Sequence, residues 1–281
     1  MEKIIFLDVD GTLCNEQGIV PESAKQAIKK AQARGHRFFL CTGRSKAEIT
    51  DEVAALGLDG MIGAGGGYCE VQNEVILHKV FDEEEVRQLV TFLSENQIEY
   101  YLESNQGLFA SPGLKAQLRK VILAGTDPTS AEGLEKLATI EWFLDLLEED
   151  QTKIDYQDIN KVSFINQSIP YEQIHETYHG KFQMMRSTVP AFGKDSGEIA
   201  LANISKRTAI QHLLNHLGES NQATFAFGDG HNDLEMFAAV NTGIAMGNAC
   251  DELKAVADHI TETHDDHGIA VAMAHFGLIE N

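Results

Sequence analysis

The chain has 281 residues, 43% of them hydrophobic, enough for one large or two medium domains and too apolar for disorder. Its 43 acidic and 22 basic residues leave a formal charge of −21, which argues against nucleic-acid or anionic-membrane partners, since both need a positive footprint. No uninterrupted apolar stretch is long enough to span a bilayer, and Met1–Phe6 meets Asp8 too soon for a signal peptide. Cys14, Cys41, Cys69 and Cys250 have no CxxC or zinc spacing, so the expected setting is the reducing cytoplasm.

The first 80 residues alternate strand and helix signals. Ile4 to Leu7 is a short apolar run suited to a buried parallel strand. Pro21 to Arg34 has helical spacing, with Pro at its start and Gly35 just past its end. His36 to Cys41 reads as a second strand. Ser45 is expected to cap a helix to Leu56, with Glu48 completing a capping box, before a third strand. This alternation implies a parallel sheet with right-handed crossovers.

The middle changes character. Asp82 caps an expected helix, with Glu85 as its box partner. Strand signals at Glu99 to Leu102 and Gly107 to Ala110 precede helical stretches over Leu114 to Leu123 and Ala131 to Glu148. Lys161 to Ile165 and Phe182 to Arg186 are further strand candidates. This mixed segment reads as an inserted α/β domain over 82–190, within a core made of 1–81 and 191–281. Tyr100, Tyr101, Trp142, Met184 and Met185 are expected to form the insertion's own core. The core alternation resumes with a Ser205-capped helix ending at Gly218 and the strand Ala223 to Phe227. A strand at Thr242 to Met246, a helix near Cys250 to Ala257 and a last helix after Gly268 follow. The expected fold class is α/β: a Rossmann-like parallel sheet with helices on both faces, plus the inserted α/β cap.

The chemistry starts at "FLDVDGTL". Residues two apart on a strand share a face, so Asp8 and Asp10 are expected at one spot at the strand's carboxyl end, where open α/β sheets bind ligands. Asp229 and Asp233, in "FGDGHNDLEMF", mark a second strand-to-helix junction. Four carboxylates from two strand ends make a hard-oxygen site that needs a cation, and Mg²⁺ suits it. In "CTGRS", the Thr42 hydroxyl, the Gly43 amide and a helix start are suited to anionic oxygens. In "ISKRT", Lys206 opens a helix against the dipole, a placement that makes sense if it neutralises phosphate.

With these residues in order, the sequence resembles the haloacid dehalogenase (HAD) superfamily and, within it, the Cof-type sugar-phosphate phosphatases. DVDGT at Asp8 to Thr12, Thr42, Lys206 and GDGHND at Gly228 to Asp233 stand where the four family motifs stand; "AMGNA" at Ala245 to Ala249 and "DDHGIA" at Asp265 to Ala270 match the subgroup. The resemblance implies that Asp8 attacks phosphorus and that Asp10 protonates the leaving alcohol, then activates water. It implies Mg²⁺ held by Asp8, the Asp10 carbonyl and Asp229, with Asp233 in support. Thr42 and Lys206 would bind the phosphoryl oxygens and Asn232 the substrate or phosphate. The implied substrate is a small phosphorylated metabolite, a sugar phosphate by class. Where the subgroup often carries Asn-Gly, this chain has "GAGGGY", with Gly65 at the asparagine position, which leaves backbone amides for any contact there.

Other residues take blander readings. Arg44 reads as a structural or surface partner, Cys41 as a small buried residue, and His231, His264 and His267 as loop and surface histidines. A phosphomannomutase-like mutase, returning the phosphoryl group to a second sugar hydroxyl, is the rival activity. A non-catalytic phosphometabolite sensor is the third reading.

Overall fold

A computed structural model describes residues 2–15, 18–187, 189 and 192–280. The chain opens with β1 (Ile4–Leu7), α1 (Glu22–Ala33), β2 (Arg37–Cys41), α2 (Asp51–Ala54), β3 (Gly60–Gly63), β4 (Tyr68–Val71) and β5 (Glu74–His78). Next come α3 (Glu83–Glu95), β6 (Glu99–Ser104), β7 (Leu108–Ala110), α4 (Leu114–Leu123), α5 (Ala131–Leu146), β8 (Leu147–Glu148), β9 (Ile159–Ile165), α6 (Tyr171–Tyr178), β10 (Phe182–Arg186) and β11 (Gly197–Leu201). It closes with α7 (Lys206–Leu217), β12 (Thr224–Gly228), α8 (Leu234–Phe237), β13 (Thr242–Ala245), α9 (Asp251–Val256), β14 (His259–Ile260) and α10 (Gly268–His275).

These elements form two compact units. One comprises Met1–Arg44, Ile49–His78 and Ile204–Asn281; the other comprises Ser45–Glu48 and Lys79–Asn203. The first holds an eight-stranded sheet in the order β14-β13-β12-β1-β2-β3-β4-β5. Strands β14 through β3 in that order run parallel, and β4 and β5 add an antiparallel hairpin at the edge. Alternation along β1 explains why both faces are covered. Ile5 and Leu7 join one core with Phe38, Phe227, Ala27 and Met273, while Ile4 and Phe6 join the other with Phe39, Ile210 and Met236. From β1 the chain crosses to β2 on one side, and from β12 to β13 on the other, which makes the carboxyl ends of β1 and β12 a topological switch point.

The second unit is a six-stranded sheet, β10-β11-β9-β6-β7-β8, antiparallel except for the short β7–β8 pair. One face packs Tyr100, Leu102, Val162 and Phe164 with Leu89 and Ile174 of α3 and α6. On β9, Lys161 Nζ lies 3.0 Å from Glu103 and 3.4 Å from Glu198, and Ser163 donates to Glu103 at 2.7 Å. Burial raises the Glu103 carboxyl well above the carboxylate range.

Several expectations are revised. By contacts the second compact unit takes in β11 and runs to Asn203, past the residue 190 expected from sequence, because β11 pairs with β9 and β10. Gly197 permits this: a Cβ there would meet the Met185 carbonyl and the Phe164 and Tyr171 rings. The single helix expected from Ser45 to Leu56 is a 3₁₀ turn at Lys46–Glu48 followed by α2. The Glu48 carboxylate accepts from both the amide and hydroxyl of Ser45, closing that turn on itself, and Thr50 is extended. Ala47 packs into the second unit's core while Ile49 packs into the first's, so the segment divides between two cores. Asp82 caps α3 as expected, but Glu85 pairs with Lys181 at 2.8 Å instead of closing a box. Trp142 and Met185 are exposed rather than core.

Candidate active site

Strand β1 ends at Leu7, and Asp8 to Cys14 fold into a tight loop in which the Leu13 amide donates to the Asp8 carbonyl and Gly11 takes a φ of +74°. A Cβ at Gly11 would collide with the Asp229 carboxylate, so only glycine lets the two loops approach. Asp8 lies past the strand's last residue, and same-face parity therefore does not govern Asp10. Asp8 is buried, whereas the Asp10 side chain is 64% exposed.

Lys206 Nζ sits 2.6 Å from Asp8 Oδ1 and 2.6 Å from Asp233 Oδ1. It is the first residue of α7, whose N-cap Ser205 forms a capping box with Thr208, so the helix start itself aims the ammonium. Asp233 Oδ2 accepts from the Asp229 amide at 2.9 Å and the Gly230 amide at 3.0 Å. Both Asp233 oxygens are thus engaged in shaping the loop and positioning the lysine. Thr12 Oγ1 donates to Asp229 Oδ1 at 3.1 Å, and Asn248 Nδ2 donates to the Gly11 carbonyl at 2.8 Å.

Thr42, just past β2, is buried, and its hydroxyl oxygen accepts from the Arg44 amide at 3.1 Å. Its own proton remains to be donated. Gly43 is half-buried beside it, and Asn232 is exposed on the 3₁₀ turn His231–Asp233. The structure therefore brings Asp8, Asp229, Asp233 and Lys206 into one cluster and places Thr42 and Gly43 at the end of the neighbouring strand. Asp10 pairs instead with Arg44, whose Nε and Nη2 reach its two oxygens at 2.9 and 2.6 Å.

The electrostatics of the cluster call for a cation. Oxygens of Asp8, Asp229 and Asp233 lie within 4.8 Å of one another. With Asp10 they make four carboxylates against two cations, Lys206 and Arg44, an excess of two negative charges when all are ionised. Burial, then Asp233, raises the Asp8 carboxyl well above its ordinary range; the same two causes push Asp229 up from 3.8 to about 6. The same carboxylates hold the Lys206 ammonium firmly protonated despite its burial. An all-oxygen donor set with this charge fits a hard divalent cation.

The sequence family described as haloacid dehalogenase-like hydrolase matches residues 5–273. The chain belongs to that family. Phosphatase YwpJ of Bacillus subtilis is 28% identical to it over 294 residues, covering 97% of this chain and 99% of YwpJ. The B. subtilis 5-amino-6-(5-phospho-D-ribitylamino)uracil phosphatase YwtE is 25% identical over 285 residues, covering 95% and 96%. The solved structure of a HAD subclass IIB sugar phosphatase superposes with a TM-score of 0.73 at 25% identity, covering 99% of this chain and 100% of that one. This HAD protein is a Cof-type phosphatase by sequence and fold, a phosphoric monoester hydrolase. Phosphatases of the family generally use a divalent metal. Among the described residues no helix is long and apolar enough to cross a membrane.

Arg44, read as a structural or surface partner, and Thr12, Asn248 and Gly66, which motif reading left without a role, all contact the loops of this cluster. Arg44 sits inside CTGR and Thr12 inside DVDGT, so position was a usable signal; Asn248 lies in AMGNA. Gly66 had no such signal. Its φ of +113° and the contact a Cβ would make with the Ser205 carbonyl show that GAGGG packs against the start of α7. The Gly65 amide donates to the Thr42 carbonyl at 3.1 Å and Ala64 to the Arg44 carbonyl at 2.7 Å, so these amides brace the Thr42 loop. Cys41 is fully buried and burial raises its thiol, in keeping with a packing role.

Proposed function

We propose that this enzyme hydrolyses small phosphomonoesters, sugar phosphates by class, with Mg²⁺ and an aspartyl-phosphate on Asp8. The observation that carries the reading is the buried Lys206 bridging Asp8 and Asp233 beside Asp229. Asp8, the Asp10 carbonyl and Asp229 would hold Mg²⁺, with Asp233 in support. Bound there, the ion supplies positive charge that offsets the carboxylates and the transferring phosphoryl group.

Asp8 uses a carboxylate oxygen to attack phosphorus as the bond to the leaving oxygen breaks. Lys206 has a third N–H beyond the two facing Asp8 and Asp233, available to a phosphoryl oxygen. Thr42 donates its hydroxyl to a second oxygen, with Gly43 beside it, and Asn232 binds substrate or phosphate from its exposed turn. Asp10 gives a proton to the departing alkoxide, then takes one from the water that attacks phosphorus and frees Asp8. Arg44 positions Asp10 through both of its carboxylate oxygens. The inserted unit, read from sequence as 82–190, is the proposed cap that selects the leaving group, and the compact unit that includes Lys79–Asn203 supports that reading.

The sugar-phosphate class rests on the likeness to a sugar phosphatase; the likeness to YwtE extends the test to phosphorylated ribityl compounds. Phosphate release across both classes, with Mg²⁺ or chelator and with Asp8→Asn as blank, checks the reading. Metal- and Asp8-dependent release supports it. Isomerisation of a hexose phosphate with bisphosphate activation and no phosphate release would instead establish the mutase.

A further inference from the structure

Among the described residues a second set of three donors converges away from the aspartates: His231, Cys250 and Glu252, whose ligand atoms all lie within 4.8 Å of one another. His231 begins the 3₁₀ turn after β12, Cys250 is the N-cap residue of α9, and Glu252 lies in that helix's first turn. No local spacing links the histidine to the other two, which is why sequence motifs do not show the set. We infer that these three side chains bind a thiophilic divalent transition-metal ion, Zn²⁺ or Co²⁺, at a site separate from the catalytic cation's.

The donor chemistry is selective. One imidazole nitrogen, one sulfur and one carboxylate oxygen form a borderline-soft set that suits Zn²⁺ and Co²⁺ and rejects Mg²⁺, the reverse of the all-oxygen aspartate cluster. The donors stand a little wider than a bound ion would hold them, close enough for side-chain rotation to close the gap. Ligands about 2.0–2.3 Å from a tetrahedral ion stand about 3.3–3.8 Å apart. His231 Nε2 and Glu252 Oε2 are 3.8 Å apart. Both side chains are more than 60% exposed, so small rotations can bring them onto the half-buried Cys250 sulfur, and solvent fills the fourth position.

The site is also wired to the catalytic loop. The Cys250 amide donates to the Asp229 carbonyl at 2.9 Å, and His231 is two residues beyond Asp229. An ion clamping His231 to Cys250 therefore restrains the segment that presents Asp229 from both sides. The inference does not depend on the proposed substrate or on turnover.

Cobalt titration of the full chain saturated with Mg²⁺ tests it, because thiolate-bound Co²⁺ absorbs strongly in the near-ultraviolet through sulfur-to-metal charge transfer. One equivalent of Co²⁺ should give that band, and Zn²⁺ should displace it. Cys250→Ser should abolish the band while retaining the wild-type circular dichroism. His231→Gln and Glu252→Gln should each weaken binding about 10-fold or more. Asp229→Asn should keep the band, which separates this site from the aspartate cluster. Absence of a band in the wild type, or its survival in Cys250→Ser, overturns the inference.

Discussion

Arg44 grips Asp10 through two nitrogens while Lys206 grips Asp8, so two carboxylates two residues apart are held by different cations in different surroundings. The Arg44 side chain is 9% exposed and that of Asp10 is 64% exposed. Position rather than charge alone is what a planar guanidinium fork supplies. Replacing Arg44 by Met should lower kcat about 10- to 100-fold with a much smaller change in KM. Arg44→Lys should recover only part of that loss, because lysine cannot reach both oxygens in one plane. Steady-state kinetics on one good substrate checks both.

Lys206→Met should destabilise the metal-free protein by about 3–5 kcal/mol, the usual consequence of removing one partner from a buried charge cluster. Asp8 and Asp233 would then face each other with no cation between them. Added Mg²⁺ should restore more stability to this variant than to the wild type, since it provides the missing positive charge. Urea unfolding with and without Mg²⁺ measures the difference.

Asp229 is shifted up to about 6 from 3.8, and Asp8 shifts in the same direction. A carboxyl raised in the folded state binds its proton more tightly there than in the unfolded chain. Its contribution to stability is therefore full below about 4 and is lost as pH rises through about 6. In chelator, Tm should fall across that window. With Mg²⁺ bound the fall should shrink, and apparent Mg²⁺ affinity should climb over the same range as protons are released. Asp229→Asn should flatten its share of the chelator profile, as scanning calorimetry in a pH series would show.

Neighbouring glycines should respond differently to the same change. At Gly66 a methyl group meets the Ser205 carbonyl as well as an unfavourable φ of +113°, so Gly66→Ala should destabilise by at least about 2 kcal/mol and displace Lys206, reducing turnover. Gly65, at φ +63°, has open space where a Cβ would go, so Gly65→Ala should cost about 1 kcal/mol and leave activity near wild type. Thermal melts and initial rates on the two variants make the comparison.

Much of the molecule could be read from residue order because local chemistry and tertiary need agree there. The strand at Ile4 to Leu7, the helix closed by Gly35 and the Ser205 cap all take the places their patterns predict. The residues of the aspartate and lysine cluster are likewise visible, as short motifs at two strand ends and one helix start. The misses come from long-range demands that no window of sequence contains. Ser45 to Leu56 looks like one helix, yet Ala47 and Ile49 are claimed by separate cores. β11 carries no boundary signal that assigns it to one sheet rather than the other. Arg44 reads as a structural or surface partner, and only the fold shows that the group it partners is Asp10.

The pairing of Ile4 with Thr224 has a bearing on how the enzyme is made. On a ribosome, β1 emerges long before its partner β12 exists, so that side of the parallel sheet is assembled only after the inserted unit has been made. Most of the inserted unit, Lys79–Asn203, is one continuous stretch that can gather its own sheet in the meantime. A nascent or truncated chain ending before Lys206 thus carries the proposed nucleophile without the ammonium that holds it. Such fragments should be unable to act on the phosphoesters around them until synthesis has passed Lys206 and β12.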